Sequence, residues 1–179
     1  MANREALREL QVRLASRLQA AREEGLSVSS WLAVESAGKY YLLPLGHAGE
    51  IFPWTVVQHV PYTQKWFMGV ANLRGGLTGV VDLAGLLGDA PVRTEQALSE
   101  SSLLAFNAAL EVNAALLVDR LAGLRSTDAF VSSESPAEDA PVFFGTTYID
   151  SDGKRWQELN LQALSQHTAF LSISACVLL

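Results

Sequence analysis

Apolar positions in the first 25 residues recur at intervals of three and four. Leu7, Leu10, Leu14, Leu18 and Ala21 make one stripe, the spacing of an amphipathic helix. Arg8, Arg13, Arg17, Arg22, Glu5, Glu9 and Glu23 fill the other faces, and Gly25 offers a stop. The pattern predicts a helix over residues 3–24. It suits first a helix packed on its own domain, and second one that docks on a partner.

From Trp31 the period changes from 3.6 to 2. Residues 31–36 and 39–43 read as strands around an Ala37-Gly38 turn. Residues 47–54 form a third extended segment and 56–60 a fourth, punctuated by Pro44, Pro53 and Pro61. Residues 63–67 fit one helical turn. Two apolar runs, 67–74 and 77–82, flank Gly75-Gly76, where glycine accepts the positive φ of a tight hairpin. Asp82 then stands as N-cap to a short helix that Gly88 ends.

Residues 89–101 are polar and read as a loop. Further strands are expected at 103–107, 113–120, 121–125 and 130–131, with a loop over 132–141. Residues 143–149 and 155–159 flank the turn residues Asp150-Ser151-Asp152-Gly153, and Asn160 caps a last helix through Gln166. Many short strands at this spacing predict a mostly β protein, a barrel or a sandwich, and two small barrels side by side, one in each half of the chain, are a reasonable architecture.

Composition narrows the class. Charged residues make up 18% of the 179 positions, hydrophobic residues 49%, and the net charge is −6. A soluble domain averages about 25% charged, so the chain is apolar and under-charged. Intrinsic disorder is excluded. An acidic balance argues against nucleic acid, which needs cations to neutralise phosphates. The one cysteine, Cys176, rules out a disulfide framework or a multi-cysteine zinc site and fits a reducing cytoplasm. No signal-peptide pattern and no 18-residue apolar run is found, so no membrane insertion is expected.

Candidate chemistry is sparse. His47, His59 and His167 have no partner at metal-ligand spacing, and no Gly-x-Ser-x-Gly occurs. The glycines at 75, 76 and 79 lack the Lys-Ser/Thr of a phosphate loop. Asp150 to Gly153 looks like the start of a calcium loop, but Leu161 stands where the closing acid belongs. Asp82 and Asp119 each end an apolar strand, as turn or cap acceptors or as a general base. Arg74 sits at a hairpin tip, where its planar fork suits a carboxylate of the same domain or of a partner. Phe52, Trp54, Tyr62, Trp66 and Phe67 crowd one window; core packing takes most of them, and a protein-binding groove could use the rest, since aromatics are favoured at interfaces.

Residues 69–75 (Gly-Val-Ala-Asn-Leu-Arg-Gly), then Val80-Val81-Asp82-Leu83 with Leu87-Gly88, resemble the signature of the CheW chemotaxis coupling proteins. Glu50-Ile51 and the segment Leu116 to Gly123 resemble two more family segments, and the likeness runs from Trp31 to about Leu164. Residues 66–72, the Arg-rich leading helix and the tail 163–171 resemble the branch of that family serving the type IV pilus, or twitching-motility, pathway. One departure is Gly79, where the family usually has proline.

The resemblance implies two five-stranded SH3-like β-barrels with an N-terminal helix and a short C-terminal helix. It implies an adaptor without catalysis or cofactor, linking a methyl-accepting chemoreceptor to a CheA-type histidine kinase at cytoplasmic, membrane-associated arrays. The receptor site is expected in a groove between the barrels and the kinase site on an apolar edge of the first. By resemblance, Glu50, Val70, Asn72 and Arg74 contribute from the first barrel and Leu117, Val118 and Asp119 from the second; Gly75, Gly76, Asp82 and Gly88 form turns and a cap. Arg74 is expected to pair with a carboxylate such as Glu50. The organisation expected is a helix over 1–25, a domain over 26–168 of two interleaved subdomains dividing near 89–101, and a tail over 169–179. Two other readings stand beside this one: a binding module with a different client, and a small hydrolase using Asp82 or Asp119 with His59.

Overall fold

The computed structural model describes residues 8–16, 30–89 and 91–175. Residues 8–16 are helical (α1). The strands are β1 (Ser30–Ser36), β2 (Lys39–Pro44), β3 (Ala48–Pro53), β4 (Phe67–Leu73), β5 (Gly76–Asp82), β6 (Ser102–Phe106), β7 (Ala114–Val118), β8 (Arg120–Ser126), β9 (Phe130–Glu134), β10 (Phe144–Asp150) and β11 (Arg155–Leu159). Short helices α2 (Leu83–Leu86), α3 (Glu95–Glu100), α4 (Leu161–Gln166) and α5 (Thr168–Leu171), with 3-10 turns at Ala108–Leu110 and Thr127–Ala129, complete the described elements.

The strands form a six-stranded sheet, ordered β8-β1-β2-β11-β10-β9, and a five-stranded sheet, ordered β3-β6-β7-β5-β4. This corrects the expectation of two five-stranded barrels. Neither sheet closes: β8 and β9 are the edges of one, β3 and β4 of the other. Among the described residues the outer side of β4 carries an isolated bridge between Gln58 and Val70, and residues 56–60 make no fourth strand. The strands also do not sort by half of the chain. Early β1 and β2 join late β8 to β11, through a parallel β2–β11 pair, and β5 pairs in parallel with β7.

The excess of apolar residues is explained by burial on both sheet faces. Side chains alternate along a strand. One large core holds Leu32, Val34 and Leu43 of the six-stranded sheet with Val81, Leu104 and Leu116 of the five-stranded one. Their neighbours Leu103, Ala115 and Leu117 form a second cluster on the other face of the five-stranded sheet. Trp31, Ala33, Leu42 and Trp156 form a third on the other face of the six-stranded sheet. Central strands therefore read as unbroken apolar runs, as strands covered on both faces do.

Other differences are local. Residues 89–101 contain α3, which Thr94 starts by accepting the Ala97 N–H at 3.1 Å. The expected loop over 132–141 begins as strand, since β9 runs to Glu134. Residues 63–67 are held by a bridge from Thr63 to Ser174, with no helix. In α1, Leu14 is buried and the Gln11 amide donates to Ser102 Oγ at 2.8 Å, while Leu10 and Val12 face solvent. This part of the leading helix packs on its own domain. Leu7, Leu18, Ala21, Gly25 and Cys176 lie outside the described residues.

Candidate functional site

The glycine-containing motif builds the β4–β5 hairpin. Leu73 pairs with Gly76, so the two turn residues are Arg74 and Gly75, with φ of +51° and +80°. Both positive values fit a type I′ turn, which matches the twist of the strands. The expected turn at Gly75-Gly76 is thus shifted by one position, and Gly76 is the first residue of β5. The Asn72 Oδ1 accepts the Gly75 N–H at 2.8 Å and secures the turn. This conformation puts the Arg74 side chain in solvent, three-quarters exposed, where Nη2 lies 2.5 Å from Glu50 Oε1.

Glu50 belongs to β3 and Arg74 follows β4, the two edges of the five-stranded sheet. The ion pair therefore spans the sheet's open side. A cavity of about 380 Å³ lies there, lined among others by Phe52, Leu73, Thr78 and Asn113. Val70 is half-buried and carries both backbone bonds to Gln58, at 2.8 and 2.9 Å. At Gly79 the N–H donates to the Asn113 carbonyl at 3.1 Å, a bond that proline, lacking the N–H, cannot make.

A second constellation joins residues far apart in sequence. Asp82 occupies the N-cap position of α2 by backbone geometry, but its side chain makes no cap bond. Both its oxygens are taken by Arg93, from Nε at 3.0 Å and Nη2 at 2.6 Å. Arg93 Nη1 donates to Asp119 Oδ1. The other oxygen of Asp119 accepts the Ala37 N–H at 2.8 Å, and the Asp119 N–H donates to the Glu35 carbonyl at 2.9 Å. The Arg93 and Asp82 side chains are nearly covered, at 11% and 6% exposure. Burial acts to lower the Arg93 pKa, but the hydrogen bonds and charges of Asp82 and Asp119 outweigh it, and the net shift is upward. Gly88 follows α2 with φ of +94°.

These contacts redefine the sequence-derived site. Leu117 and Val118 are fully buried, so any influence on a partner passes through what they support. Asp119 is committed to Arg93 and Ala37. Neither Asp82 nor Asp119 hydrogen-bonds to His59 among the described residues, which leaves the hydrolase reading without an acid–base pair. His167 caps α5 by accepting the Ala169 N–H at Nδ1. The pKa of His47 is lowered, chiefly by burial, against the raising charge of Glu158. Among the described residues no cluster of His, Cys, Asp or Glu could hold a metal ion. Sequence reasoning missed Arg93. Its available signal was indirect: two acids ending buried strands need a cation, and Arg93 lies eleven positions after Asp82.

A model of the CheW-like domain matches residues 30–169. Protein PilI of Pseudomonas aeruginosa is 31% identical over 170 residues, spanning 90% of this chain and 89% of PilI. The chain belongs to the CheW family. CheW-family proteins are non-catalytic scaffolds that bridge a receptor and a histidine-kinase-type partner, and this chain is an adaptor of that class. The crystal structure of the scaffolding protein TtCheW from Thermoanaerobacter tengcongensis has the same fold, with a TM-score of 0.62 at 18% identity, covering 79% of this chain and 95% of that one. Within this CheW-like domain the family motif is the hairpin that carries Arg74. No helix among the described residues is long and apolar enough to cross a membrane.

Proposed function

We propose that this CheW-family chain couples a methyl-accepting chemoreceptor to a CheA-type histidine kinase in the chemosensory array of a twitching-motility pathway, on the cytoplasmic side of the membrane. The work is binding: the chain holds both partners so that the state of the receptor biases the kinase. The organisation that goes with this is a leading helix over 1–25, a CheW-like domain over 26–168 and a tail over 169–179.

Two patches serve the two partners. The kinase uses the side of the five-stranded sheet where Val70, Asn72 and Arg74 at one edge stand with Glu50 of the other. The receptor uses the junction between the sheets, where the Asp119 corner rests on buried Leu117 and Val118. The observation that carries this reading is the exposed Arg74–Glu50 pair on the family's own hairpin. A guanidinium held at 75% exposure in a fixed turn offers its remaining donors to a partner.

The test is capture of purified partners. Immobilised chain should retain a receptor signalling fragment and a CheA-type kinase, each separately, and Arg74→Ala should weaken retention of the kinase. Retention of neither by the wild-type chain would sink the proposal.

A further inference from the structure

Arg93 lies between α2 and α3, in a stretch of polar sequence, yet its guanidinium is among the most enclosed charges described. It makes three hydrogen bonds to two carboxylates on separate elements. Asp82 ends β5 of the five-stranded sheet. Asp119 forms the corner between β7 and β8, where the chain passes from the five-stranded sheet to the six-stranded one. Through its second oxygen Asp119 holds the Ala37 N–H of the β1–β2 turn. That turn needs holding, because Ala37 has φ of +50°, a left-handed conformation that costs a non-glycine residue. Beside it, Lys39 of β2 binds Asp89 at 2.9 Å, a second tie from the turn to the segment after α2.

From this geometry we infer that Arg93 is a positioning residue of the partner-binding surface: it sets the Asp119 corner and, through it, the β1–β2 turn that this corner supports. The inference rests on the two-patch reading above and deepens it. Only an arginine does this. Its planar fork presents donors in two directions at once, to Asp82 by Nε and Nη2 and to Asp119 by Nη1, whereas a lysine ammonium is a point charge on a flexible stem. The shared apolar core fixes how the sheets stack. What Arg93 adds is local: the shape of the corner at their junction. The Glu50–Arg74 pair lies on a different part of the five-stranded sheet and does not touch the triad.

The experiment compares full-length wild type, Arg93→Lys and the double variant Arg93→Met/Asp82→Asn. The double variant removes one positive and one negative charge together, so no extra net charge is left buried. Three quantities are read: exchange of the Ala37 amide, affinity for a receptor signalling fragment and affinity for a CheA-type kinase. In both variants Ala37 exchange is expected to rise about tenfold or more. Receptor affinity is expected to fall about tenfold while kinase affinity stays within about twofold. Equal loss of both affinities would overturn the inference, since Arg93 would then be a general stabiliser. Unchanged Ala37 exchange or unchanged receptor affinity in the folded variants would overturn it as well. A wild-type chain that binds neither partner would overturn the coupling reading itself, and Ala37 exchange would still decide whether Arg93 holds the corner.

Discussion

Glu50 and Arg74 join the two edges of the five-stranded sheet, with 2.5 Å between carboxylate and guanidinium. They are neighbours only because the sheet order places β3 and β4 at opposite ends and the sheet curves until those ends face one another. The pair is exposed, so its worth to stability is within about 0–1 kcal/mol. Its place on the family motif therefore points to recognition.

Arg74→Ala should change unfolding free energy by less than about 1 kcal/mol in urea melts, and yet weaken partner retention. Arg74→Gly separates backbone from side chain. It relieves the left-handed φ of +51°, so the hairpin should be as stable as in wild type or more so, with the same loss of binding. A Gly variant that binds normally would remove the side chain from the recognition account.

Arg93→Ala should, unlike Arg74→Ala, cost stability. It leaves Asp82, 6% exposed, without the cation that holds it, and should cost about 3–5 kcal/mol. Chemical denaturation reads this directly. A loss below about 1 kcal/mol would show that the triad is not under the burial its geometry implies.

Much of the fold was legible from strand periodicity. Strands over 31–36, 39–43 and 155–159 lie within one residue of β1, β2 and β11, because alternation and turn residues are local signals. The architecture was not legible. The parallel β2–β11 and β5–β7 pairs join residues more than thirty positions apart, and no local pattern distinguishes sheets that stay open from barrels. The site was half legible. Arg74 stood out at a hairpin tip beside glycines, and its expected carboxylate Glu50 is the one it meets. Arg93 sits in a polar stretch with no periodicity, and its role comes only from two acids that the fold brings to it. Leu117 and Val118 were expected at the partner-binding surface by resemblance and are fully buried, because an apolar run does not say how many of its faces are covered.

Gly69 tests the motif at its first residue. It adopts φ of +132°, and a Cβ there would stand 2.1 Å from the Gln58 carbonyl oxygen. Nothing so close is tolerated, and the Gln58–Val70 bridge would have to open. Gly69→Ala should lose more than about 2 kcal/mol, seen as a lower Tm. An unchanged Tm would mean that residues 56–60 do not lie against β4.

Asp150 sets a pH dependence. Its oxygens accept the Asp152 N–H at 3.0 Å, the Lys154 N–H at 2.9 Å and the Trp156 indole N–H at 2.9 Å. The Trp156 bond leads, and burial opposes, in holding this carboxyl below its ordinary value of 3.8. A carboxyl with a lowered folded-state pKa stabilises above that ordinary value, and the contribution is lost as pH falls through the folded-state pKa. Wild type should therefore be more stable than Asp150→Asn at pH near 7, with the gap closing below pH 3.8. Urea melts followed by tryptophan fluorescence at both pH values measure the gap. A gap that stays constant with pH would contradict the assignment.

An adaptor of this kind holds two partners at once. The most direct measurement is reconstitution of receptor signalling fragment, CheA-type kinase and chain, with sedimentation and kinase autophosphorylation followed together. Receptor and kinase should co-sediment only when the chain is present, receptor state should then change the phosphorylation rate, and Arg74→Ala should reduce both effects. Receptor control of the kinase that is the same with and without the chain would contradict it.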